Sequence, residues 1–288
     1  MTPPALSIVI PTYKRAPILR ECLQRIEAQT IKDRIEVIII SDGHDDETAA
    51  LFNKHTQYAI PNTQFFEIPK SQQGVARNRG IERATGNIIL LIGDDIFLAP
   101  DACEAHLRAH QQLQTSSAVL GYTEWDPAMD ITPVMKWLDK TGWQFGYPLL
   151  HTYIHSYIPQ NIQHRFSYTS HISLPREVAL KFPFREDVTL YGWEDIEWGW
   201  RLSQSGIPLY YEPNANAFHH HRMTLADSLR RMETLGTSAT IVEKMNPELH
   251  LVPHGIKRMG YRLSSLLPTT KGRHAGAFLR GVMGTEHQ

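Results

Sequence analysis

Cysteine is scarce in this chain, and long apolar runs are missing. Only Cys22 and Cys103 occur among 288 residues, which argues against a disulfide framework and fits a reducing compartment. No apolar run approaches the roughly 18 residues that a membrane-spanning helix requires. The opening stretch MTPPALSIVIPTY has no basic region followed by a long apolar segment, so we expect no signal peptide. We therefore expect a cytoplasmic protein, with peripheral contact at the inner membrane surface left open.

A dominant charge is absent as well. The chain carries 29 Lys and Arg against 30 Asp and Glu, and a net charge of −1 gives no reason to expect nucleic acid as a partner. Hydrophobic residues make up 42% and charged residues 20%, as in an ordinary globular protein. We find no internal repeat and no low-complexity tract. The length allows one large domain or two small ones.

Short aliphatic runs alternate with helical patterns through the first hundred residues. Runs such as LSIVI, IEVIII and IILLI are typical of strands buried on both faces. The pattern predicts strands at 6–10, 35–40, 65–68 and 88–92, and helices at 17–30, 46–55 and 73–84. Such alternation indicates βαβ units, so we predict an α/β fold with a mostly parallel central sheet.

Acidic residues follow two of these predicted strands. Asp42 comes after the strand at 35–40, and Asp94 and Asp95 come after the strand at 88–92. Ligands of open α/β sheets bind at the carboxyl ends of the strands. Two adjacent carboxylates suit a divalent cation, and a cation suits a phosphate. For the acidic pair taken alone, a solvated turn is the alternative.

The stretch YGWEDIEWGWRL, residues 191–202, sets acids among tryptophans. Asp195 is three residues from Trp198, and partial desolvation beside an indole ring would raise the proton affinity of its carboxylate. Such a carboxylate is suited to act as a base. On a helix, Glu197 and Arg201 are four residues apart and can pair. The alternative for this stretch is an amphipathic helix with a solvated acidic face.

The segment 122–168 contains ten aromatic residues with little periodicity. It is either a second hydrophobic mini-core or a face whose exposed rings bind an acceptor sugar. The ten aromatic residues include Trp125, Trp137, Trp143, Tyr153, Tyr157 and Tyr168.

Three consecutive histidines occupy positions 219–221. They are either solvated imidazoles in a loop or a source of ligands for the cation expected at Asp95, since imidazole nitrogen is a common metal ligand. In an extended segment, His219 and His221 share one face and His220 points away.

The last part of the chain is helical and basic. An apolar stripe from residue 224 onward predicts a helix, with Gly236 as a break. Residues 255–280 carry six Lys and Arg and no acid. This segment could rest on an anionic membrane surface or be a solvated tail, since Pro268 and several glycines interrupt it.

Four segments in order resemble the family 2 glycosyltransferases, the inverting group with the GT-A fold. They are SIVIPTYKR (7–15), EVIIISDGHDDET (36–48), GVARNRGIERATGNIILLIGDD (74–95) and YGWEDIEWGWRLSQSG (191–206). Within residues 7–221, the resemblance implies a Rossmann-like nucleotide-sugar-binding fold. We accordingly expect a nucleotide-sugar-binding half at 1–120 and an acceptor-binding and catalytic half at 121–222. The helical, basic extension expected at 223–288 matches nothing specific in the family.

The resemblance implies roles for individual residues. Asp195 is the expected catalytic base, Asp95 and His219 are the expected metal ligands with His221 as runner-up, and Trp193 and Glu194 are expected at the acceptor. The expected nucleotide-binding residues are Pro11, Thr12, Tyr13, Arg15, Asp42, Arg77 and Asp94, with Asp42 at the base, usually uracil. Gly93 departs from the family pattern, because many relatives have another Asp there.

The predicted function is metal-dependent transfer, with inversion, of a sugar from a nucleotide-sugar donor to a hydroxyl. The donor is expected to be a UDP-sugar, the acceptor a glycan or a lipid-linked molecule, and the cofactor Mn²⁺ or Mg²⁺. The alternative is a non-catalytic nucleotide-sugar or glycan-binding module on the same fold. A sugar-nucleotide pyrophosphorylase would need a Gly-rich loop after the first strand, and PTYKRAPIL has no glycine.

Overall fold

A computed structural model describes residues 3–52, 62–188 and 191–286. Within these residues a single mixed sheet of nine strands runs through the molecule in the order β3-β2-β1-β4-β8-β6-β9-β5, with β7 paired to β9. The strands are β1 (Leu6–Thr12), β2 (Ile35–Asp42), β3 (Thr63–Ile68), β4 (Ile88–Ile92), β5 (Ile96–Leu98), β6 (Ala118–Trp125), β7 (Ser156–Tyr157), β8 (His171–Pro175) and β9 (Leu209–His219).

The helices cover both faces of the sheet and form the C-terminal extension. They are α1 (Ala16–Glu27), α2 (Asp46–Ala50), α3 (Gln73–Arg83), α4 (Ala102–Gln112), α5 (Pro133–Thr141), α6 (Tyr147–Leu150), α7 (Gln160–Gln163), α8 (Arg176–Lys181), α9 (Glu194–Gln204), α10 (Leu225–Met245), α11 (Gly255–Ser265) and α12 (Thr270–Glu286). The predicted helix at 46–55 corresponds to α2, and residues 53–55 lie outside the described ranges.

The mostly parallel α/β sheet is confirmed. Strands β1, β2, β3, β4, β6 and β9 run in one direction, and β8 lies antiparallel between β4 and β6. Every residue of β1 and β2 is buried, which explains why their sequences are continuous aliphatic runs. Helix α1 packs Leu19 and Leu23 against Ile8 on one face, and Trp198 of α9 belongs to the core on the other face.

A buried carboxylate fixes the end of the sheet where β1 and β2 begin. Glu36 accepts hydrogen bonds from the Ser7 hydroxyl, the Thr85 amide and hydroxyl, and the Gly86 amide, at 2.5–3.0 Å. These donors join two strands and the turn before β4. Because its oxygens are satisfied in this way, the acid can lie in the interior without a cation beside it.

The prediction that Gly236 breaks the C-terminal helix is wrong. Helix α10 is continuous through residue 236, and it begins with a capping box between Thr224 and Asp227. A Cβ at position 236 would lie 2.1 Å from the Phe278 carbonyl oxygen of α12. The glycine therefore permits close contact between two helix backbones, which offsets its low helix propensity. Among the described residues, no helix is both long enough and apolar enough to cross a bilayer.

Most of the aromatic segment packs inward, in agreement with the mini-core interpretation. Trp137 and Trp143 lie against a small cluster formed by Val134, Met135 and Leu138 of α5 with Met223. Tyr168 packs against the main core, and of the six rings named from the sequence only Tyr157 is exposed.

Candidate active site

The carboxyl ends of β2, β1 and β4 lie side by side and form one polar edge. The Thr12 hydroxyl, at the end of β1, donates to Asp94 Oδ2 at 2.7 Å. Asp42 ends β2, while Pro11 is buried within β1 opposite Ile40. Thr12, Asp42 and Asp94 thus lie at one edge. The strand pattern predicted strand-end positions for the two acids, and the resemblance did so for Thr12.

Arg15 binds both acids that follow β4. Its Nη1 lies 2.7 Å from Asp94 Oδ1 and its Nη2 lies 2.9 Å from Asp95 Oδ2. Burial opposes the charge on Arg15, but the two carboxylates outweigh it and raise the pKa of the guanidinium. Burial and the neighbouring Asp95 raise the pKa of Asp94. Arg15 was expected at the nucleotide, and in this structure its ion pairs are with the acidic pair.

Strand β5, which the sequence pattern did not reveal, brings the histidines to Asp95. It pairs antiparallel with β9 so that Ile96 lies opposite His219, and the His220 amide donates to the Asp95 carbonyl oxygen at 2.8 Å. His219 Nε2 and His221 Nδ1 then lie 3.5 and 3.4 Å from Asp95 Oδ2. Burial opposes ionisation of Asp95, but hydrogen bonds with the two histidines outweigh it and hold its pKa well below the usual range.

The middle histidine faces elsewhere. His220 Nδ1 lies 2.6 Å from Asp126 Oδ2, and its ring stacks on Phe97. The alternation expected of an extended segment therefore holds for the three histidines, and both His219 and His221 face Asp95.

The chemistry of this donor set fits a divalent cation. The three ligand atoms of Asp95, His219 and His221 all lie within 4.8 Å of one another. A carboxylate oxygen with two imidazole nitrogens suits Mn²⁺ better than Mg²⁺, which prefers oxygen ligands alone. Nδ1 of His219 is buried and has no hydrogen-bond partner among the described residues, so this ring is not committed to another interaction through that atom.

Gly93 leaves room for the Asp95 carboxylate. A Cβ at position 93 would lie 2.9 Å from Asp95 Oδ1 and 3.4 Å from a side-chain carbon of Ile96. The backbone at Gly93 also forms a turn, since the Ile96 amide donates to its carbonyl oxygen at 3.3 Å. In this chain a side chain at position 93 would crowd the Asp95 carboxylate, and the glycine avoids that contact.

A second group of polar contacts lies at the end of β2. Asp42 Oδ2 accepts from Lys70 Nζ at 2.6 Å, and Asp42 Oδ1 accepts from the Ser71 amide and hydroxyl at 2.7 and 2.8 Å. Burial works against ionisation of Asp42, but these bonds outweigh it and lower its pKa. Lys70 also lies 4.2 Å above the centre of the Tyr13 ring. Gly43, with φ of +122°, keeps the backbone close to that ring.

Lys70 and Ser71 were not singled out from the sequence, although a signal for them exists. They follow β3, whose carboxyl end lies beside that of β2. Polar residues after a third parallel strand are therefore expected at the same edge.

Arg77 and Glu194 form an ion pair in which several buried polar atoms lack hydrogen-bond partners. Arg77 Nη1 lies 3.7 Å from Glu194 Oε1, which is an ion pair but too long for a hydrogen bond. Among the described residues, Nε and Nη1 of Arg77 and Oε2 of Glu194 are buried without hydrogen-bond partners. Burial lowers the pKa of Arg77, against the attraction of Glu194 and Asp195. Unpaired buried donors of this kind are costly unless a ligand or water binds them.

Asp195 lies in the first turn of α9 beside this pair. Burial and the charge of Glu194 raise the pKa of Asp195 to about 7, although Arg77, the Ile196 amide and Arg231 oppose the shift. From the sequence, Trp198 was expected to cause this shift. Its ring instead stacks on Phe184, and its indole N–H donates to the Phe182 carbonyl oxygen. A carboxyl group with a pKa near 7 is suited to exchange protons at neutral pH.

The loop before Asp195 has an unusual backbone and is held by α10. Gly192 and Trp193 have φ of +92° and +71°. A non-glycine residue in this conformation is strained and needs support from its surroundings. The Trp193 indole N–H donates to the Leu235 carbonyl oxygen at 2.9 Å, and the ring packs beside Ile196. These contacts anchor the loop, and the expected role of Trp193 at the acceptor stays a prediction.

Arg231 of α10 is a functional candidate that the sequence did not reveal. Its Nε donates to the Tyr191 hydroxyl at 3.1 Å, and its Nη1 donates to Gln144 Oε1. Its charge also opposes the rise in the pKa of Asp195. No sequence signal distinguishes it, because its position depends on how α10 packs against the loop.

Aromatic side chains connect the Asp95 cluster to the Asp195 cluster. The His219 ring stacks on Trp125 and lies 5.9 Å from the Phe145 ring, which in turn lies 4.9 Å from Tyr168. Burial, and more weakly the Asp195 carboxylate, raise the pKa of Tyr168. A small cavity beside these aromatic rings is lined by Thr123, Glu124, Trp125, Asp139, Gln144, Phe145 and His219.

Comparison with known proteins identifies a family model that fits more than half of the chain. The model described as glycosyl transferase family 2 matches residues 7–170. This interval includes the polar edge, Arg77 and the acidic pair, and it ends before Asp195 and the histidines.

Two curated relatives illustrate the similarity. Validoxylamine A glucosyltransferase of Streptomyces hygroscopicus subsp. jinggangensis (strain 5008) is 25% identical over 239 residues, which is 72% of this chain. An N-acetylglucosaminyltransferase of Mesorhizobium japonicum is 31% identical over 121 residues, or 41% of this chain. The chain spans only 53% and 28% of the lengths of these two relatives.

Two solved structures share the fold. The mannosyltransferase PcManGT from Pyrobaculum calidifontis, in complex with GDP-Man and Mn²⁺, has a TM-score of 0.61 at 18% identity, covering 99% of this chain and 76% of its own. Residues 1–349 of S. aureus TarS, in complex with UDP-GlcNAc, give a TM-score of 0.59 at 16% identity, covering 96% of this chain and 81% of that one. At these identities the likeness concerns the fold alone.

Proposed function

The chain belongs to glycosyl transferase family 2, and from this premise we propose that it transfers a sugar, with inversion and with a divalent cation, from a nucleotide-sugar to a hydroxyl group. One observation carries the proposal. The Phe145 and Tyr168 rings connect a donor set for a cation, at Asp95, His219 and His221, to a carboxyl group with a pKa of about 7, at Asp195. A binding module needs no residue of the second kind.

The donor would bind along the polar edge. Asp42 and Tyr13 would contact the nucleoside, with Lys70 closing the pocket, and the unpaired guanidinium atoms of Arg77 would meet the diphosphate or the sugar. We propose uracil as the base because Asp42 matches the acid at that position. TarS was captured with a UDP-sugar and PcManGT with a GDP-sugar, so both bases need testing.

The cation would be held by Asp95, His219 and His221. Arg15 would remain paired with Asp94 and Asp95, so that Asp95 would contact both the cation and Arg15. When bound there, Mn²⁺ or Mg²⁺ would neutralise the negative charge that grows on the leaving diphosphate. Asp94, held by Thr12, would keep the edge negative and position Arg15.

The acceptor hydroxyl must lose its proton as it attacks the anomeric carbon. We assign this proton to Asp195, whose raised pKa makes its carboxylate a competent base at neutral pH. Attack opposite the leaving group inverts the anomeric centre, and no covalent intermediate is required. The acceptor would enter beside Tyr168 and Phe145, and Glu194 would contact it. The release assays below, with added acceptors, test whether the acceptor is a glycan or a lipid-linked molecule.

The first experiment is a thermal-shift screen of UDP- and GDP-sugars with and without Mn²⁺. A ligand that binds only the folded state raises Tm by mass action, so the screen identifies base and sugar together. Positive donors are then tested for release of the free nucleoside diphosphate, with water and with added acceptors. A flat response to every nucleotide sugar in Mn²⁺ would contradict donor binding.

The second candidate is a non-catalytic binding module. It predicts a thermal shift with a donor but no release of UDP or GDP under any condition. Asp195→Asn separates the two functions. In an enzyme, the variant should keep the donor-induced thermal shift and lose the release of UDP or GDP, whereas in a binding module there is no release to lose.

A further inference from the structure

The outer face of α11 is apolar, although this helix lies on the surface. No residue of α11 is buried. Ile256, Met259 and Leu263 recur at helical spacing, and Leu266 and Leu267 continue the same stripe immediately after the helix. The exposed fraction reaches 85% at Ile256 and 79% at Leu266. Five exposed aliphatic side chains in one stripe exceed the scattered apolar residues of an ordinary surface.

Cations flank this stripe on both sides. On the helical wheel, Arg262 lies next to one edge of the stripe and Lys257 lies beyond the other, and both are exposed. Lys271 and Arg273 are exposed at the start of α12. None of these four forms an ion pair with an acid in the described ranges, whereas Arg280 pairs with Glu233.

The inner side of α11 fixes the stripe relative to the rest of the protein. Tyr261 packs against Phe278 of α12. A Cβ at Gly272 would lie 2.3 Å from the Leu267 carbonyl oxygen, so the start of α12 contacts the end of α11 backbone to backbone. The stripe is therefore held in place, facing outward.

We propose that this face of α11 docks on an anionic lipid bilayer. An apolar stripe between cations is the pattern of a helix lying in the membrane interface, where its side chains enter the boundary layer and its cations meet acidic headgroups. The charge argues for this occupant, since residues 255–280 contain no acid that acidic lipid would repel. This surface is distinct from the candidate active site, and vesicle binding requires neither donor nor turnover.

Packing contacts connect the surface to the site. Helix α12 packs on α10, with a Cβ at Gly281 only 1.9 Å from the Glu233 carbonyl oxygen. Two residues further along α10, the Leu235 carbonyl oxygen holds the Trp193 indole. Docking through α11 would hold the site at a fixed orientation relative to the bilayer.

The test is co-sedimentation of the full chain with phosphatidylcholine vesicles, with and without phosphatidylglycerol. We expect binding only where phosphatidylglycerol is present, and a decline with added salt. Lys257→Gln with Arg262→Gln should weaken binding about 25-fold, since each cation near an anionic surface contributes roughly fivefold. Ile256→Gln with Leu263→Gln should weaken it by at least about tenfold.

Leu180→Gln is the matched control, because Leu180 is an exposed leucine on the distant helix α8. It should bind vesicles like the unmodified chain, and all variants should keep their circular dichroism spectra because the substituted side chains are exposed. No binding to acidic vesicles, or binding that the α11 variants leave unchanged, would overturn the proposal. Sedimentation velocity tests the other possible occupant, a second copy of the chain. If the protein forms a dimer that Ile256→Gln with Leu263→Gln abolishes, and if it does not bind vesicles, then the stripe is a self-association surface.

Discussion

Replacing Asp195 by Asn should make the protein inactive and, above neutral pH, more stable. The folded state raises the pKa of Asp195 from 3.8 to about 7. Between these values the folded state binds a proton that the unfolded state has released, so the stability of the unmodified chain falls as pH rises through this window. Asn carries no charge at any pH and escapes this penalty.

The magnitude follows from the size of the shift. About three pKa units correspond to at most about 4 kcal/mol above pH 7 and roughly half of that at pH 5.5. Solvent around a partly buried carboxylate reduces the effect, so we expect a gain of about 1–3 kcal/mol at pH 8. For a chain of this size, that corresponds to a rise in Tm of roughly 3–10 °C.

Two assays check the prediction. Thermal unfolding at pH 8 and pH 5.5 measures the gain, with Asp33→Asn, an exposed acid at the surface, as the matched control that should change Tm little. Donor turnover should fall about 10²–10⁴-fold in Asp195→Asn, while the donor-induced thermal shift stays. In the unmodified enzyme, turnover should fall as pH drops below about 7, because a protonated Asp195 cannot accept the acceptor's proton.

Each part can fail separately. Turnover within twofold of the unmodified chain would show that Asp195 is not the base. A Tm at pH 8 that does not rise, or rises no more than at pH 5.5, would refute the inference that the fold destabilises the ionised carboxylate.

Two other substitutions test the surroundings of the site, and a third tests the opposite end of the sheet. Gly93→Ala places a Cβ 2.9 Å from Asp95 Oδ1 and should raise the Mn²⁺ concentration for half-maximal turnover several-fold; an unchanged Mn²⁺ titration would contradict the explanation of this glycine. Arg231→Gln removes a charge that lowers the pKa of Asp195, so the pH–rate midpoint should move upward, and Arg231→Lys should restore it in part; a midpoint that stays in place would remove Arg231 from the site. Glu36→Ala leaves buried donors without an acceptor and should cost at least about 3 kcal/mol in urea unfolding, with turnover per folded molecule unchanged; a loss below about 1 kcal/mol would disprove that role.

Much of the site could be predicted because parallel strands end at a common edge. Once β1, β2 and β4 are recognised as parallel, Thr12, Asp42 and Asp94 must lie near one another whatever the loops do. The pairing of Glu197 with Arg201 at 3.0 Å was likewise predicted from helical spacing alone.

What could not be predicted depends on contacts distant in sequence. Strand β5 has three residues, too few for a periodic pattern, yet its pairing with β9 is what brings His219 to Asp95. Gly236 was predicted to break the helix because glycine has a low helix propensity. Propensity is a local property and does not include the contact with α12 that favours glycine at this position. The hydrogen bond from the Trp193 indole N–H to α10 likewise joins residues distant in sequence.

The central claim is that Asp95, His219 and His221 hold the cation on which donor binding depends. Calorimetric titration of the nucleoside diphosphate, UDP in our proposal, in Mn²⁺ and then in EDTA tests it most directly. We predict affinity at least about tenfold higher in Mn²⁺, and loss of that difference in Asp95→Ala but not in Asp195→Asn. Equal affinity in Mn²⁺ and EDTA, or an Asp95→Ala variant that keeps the full difference, would contradict the claim.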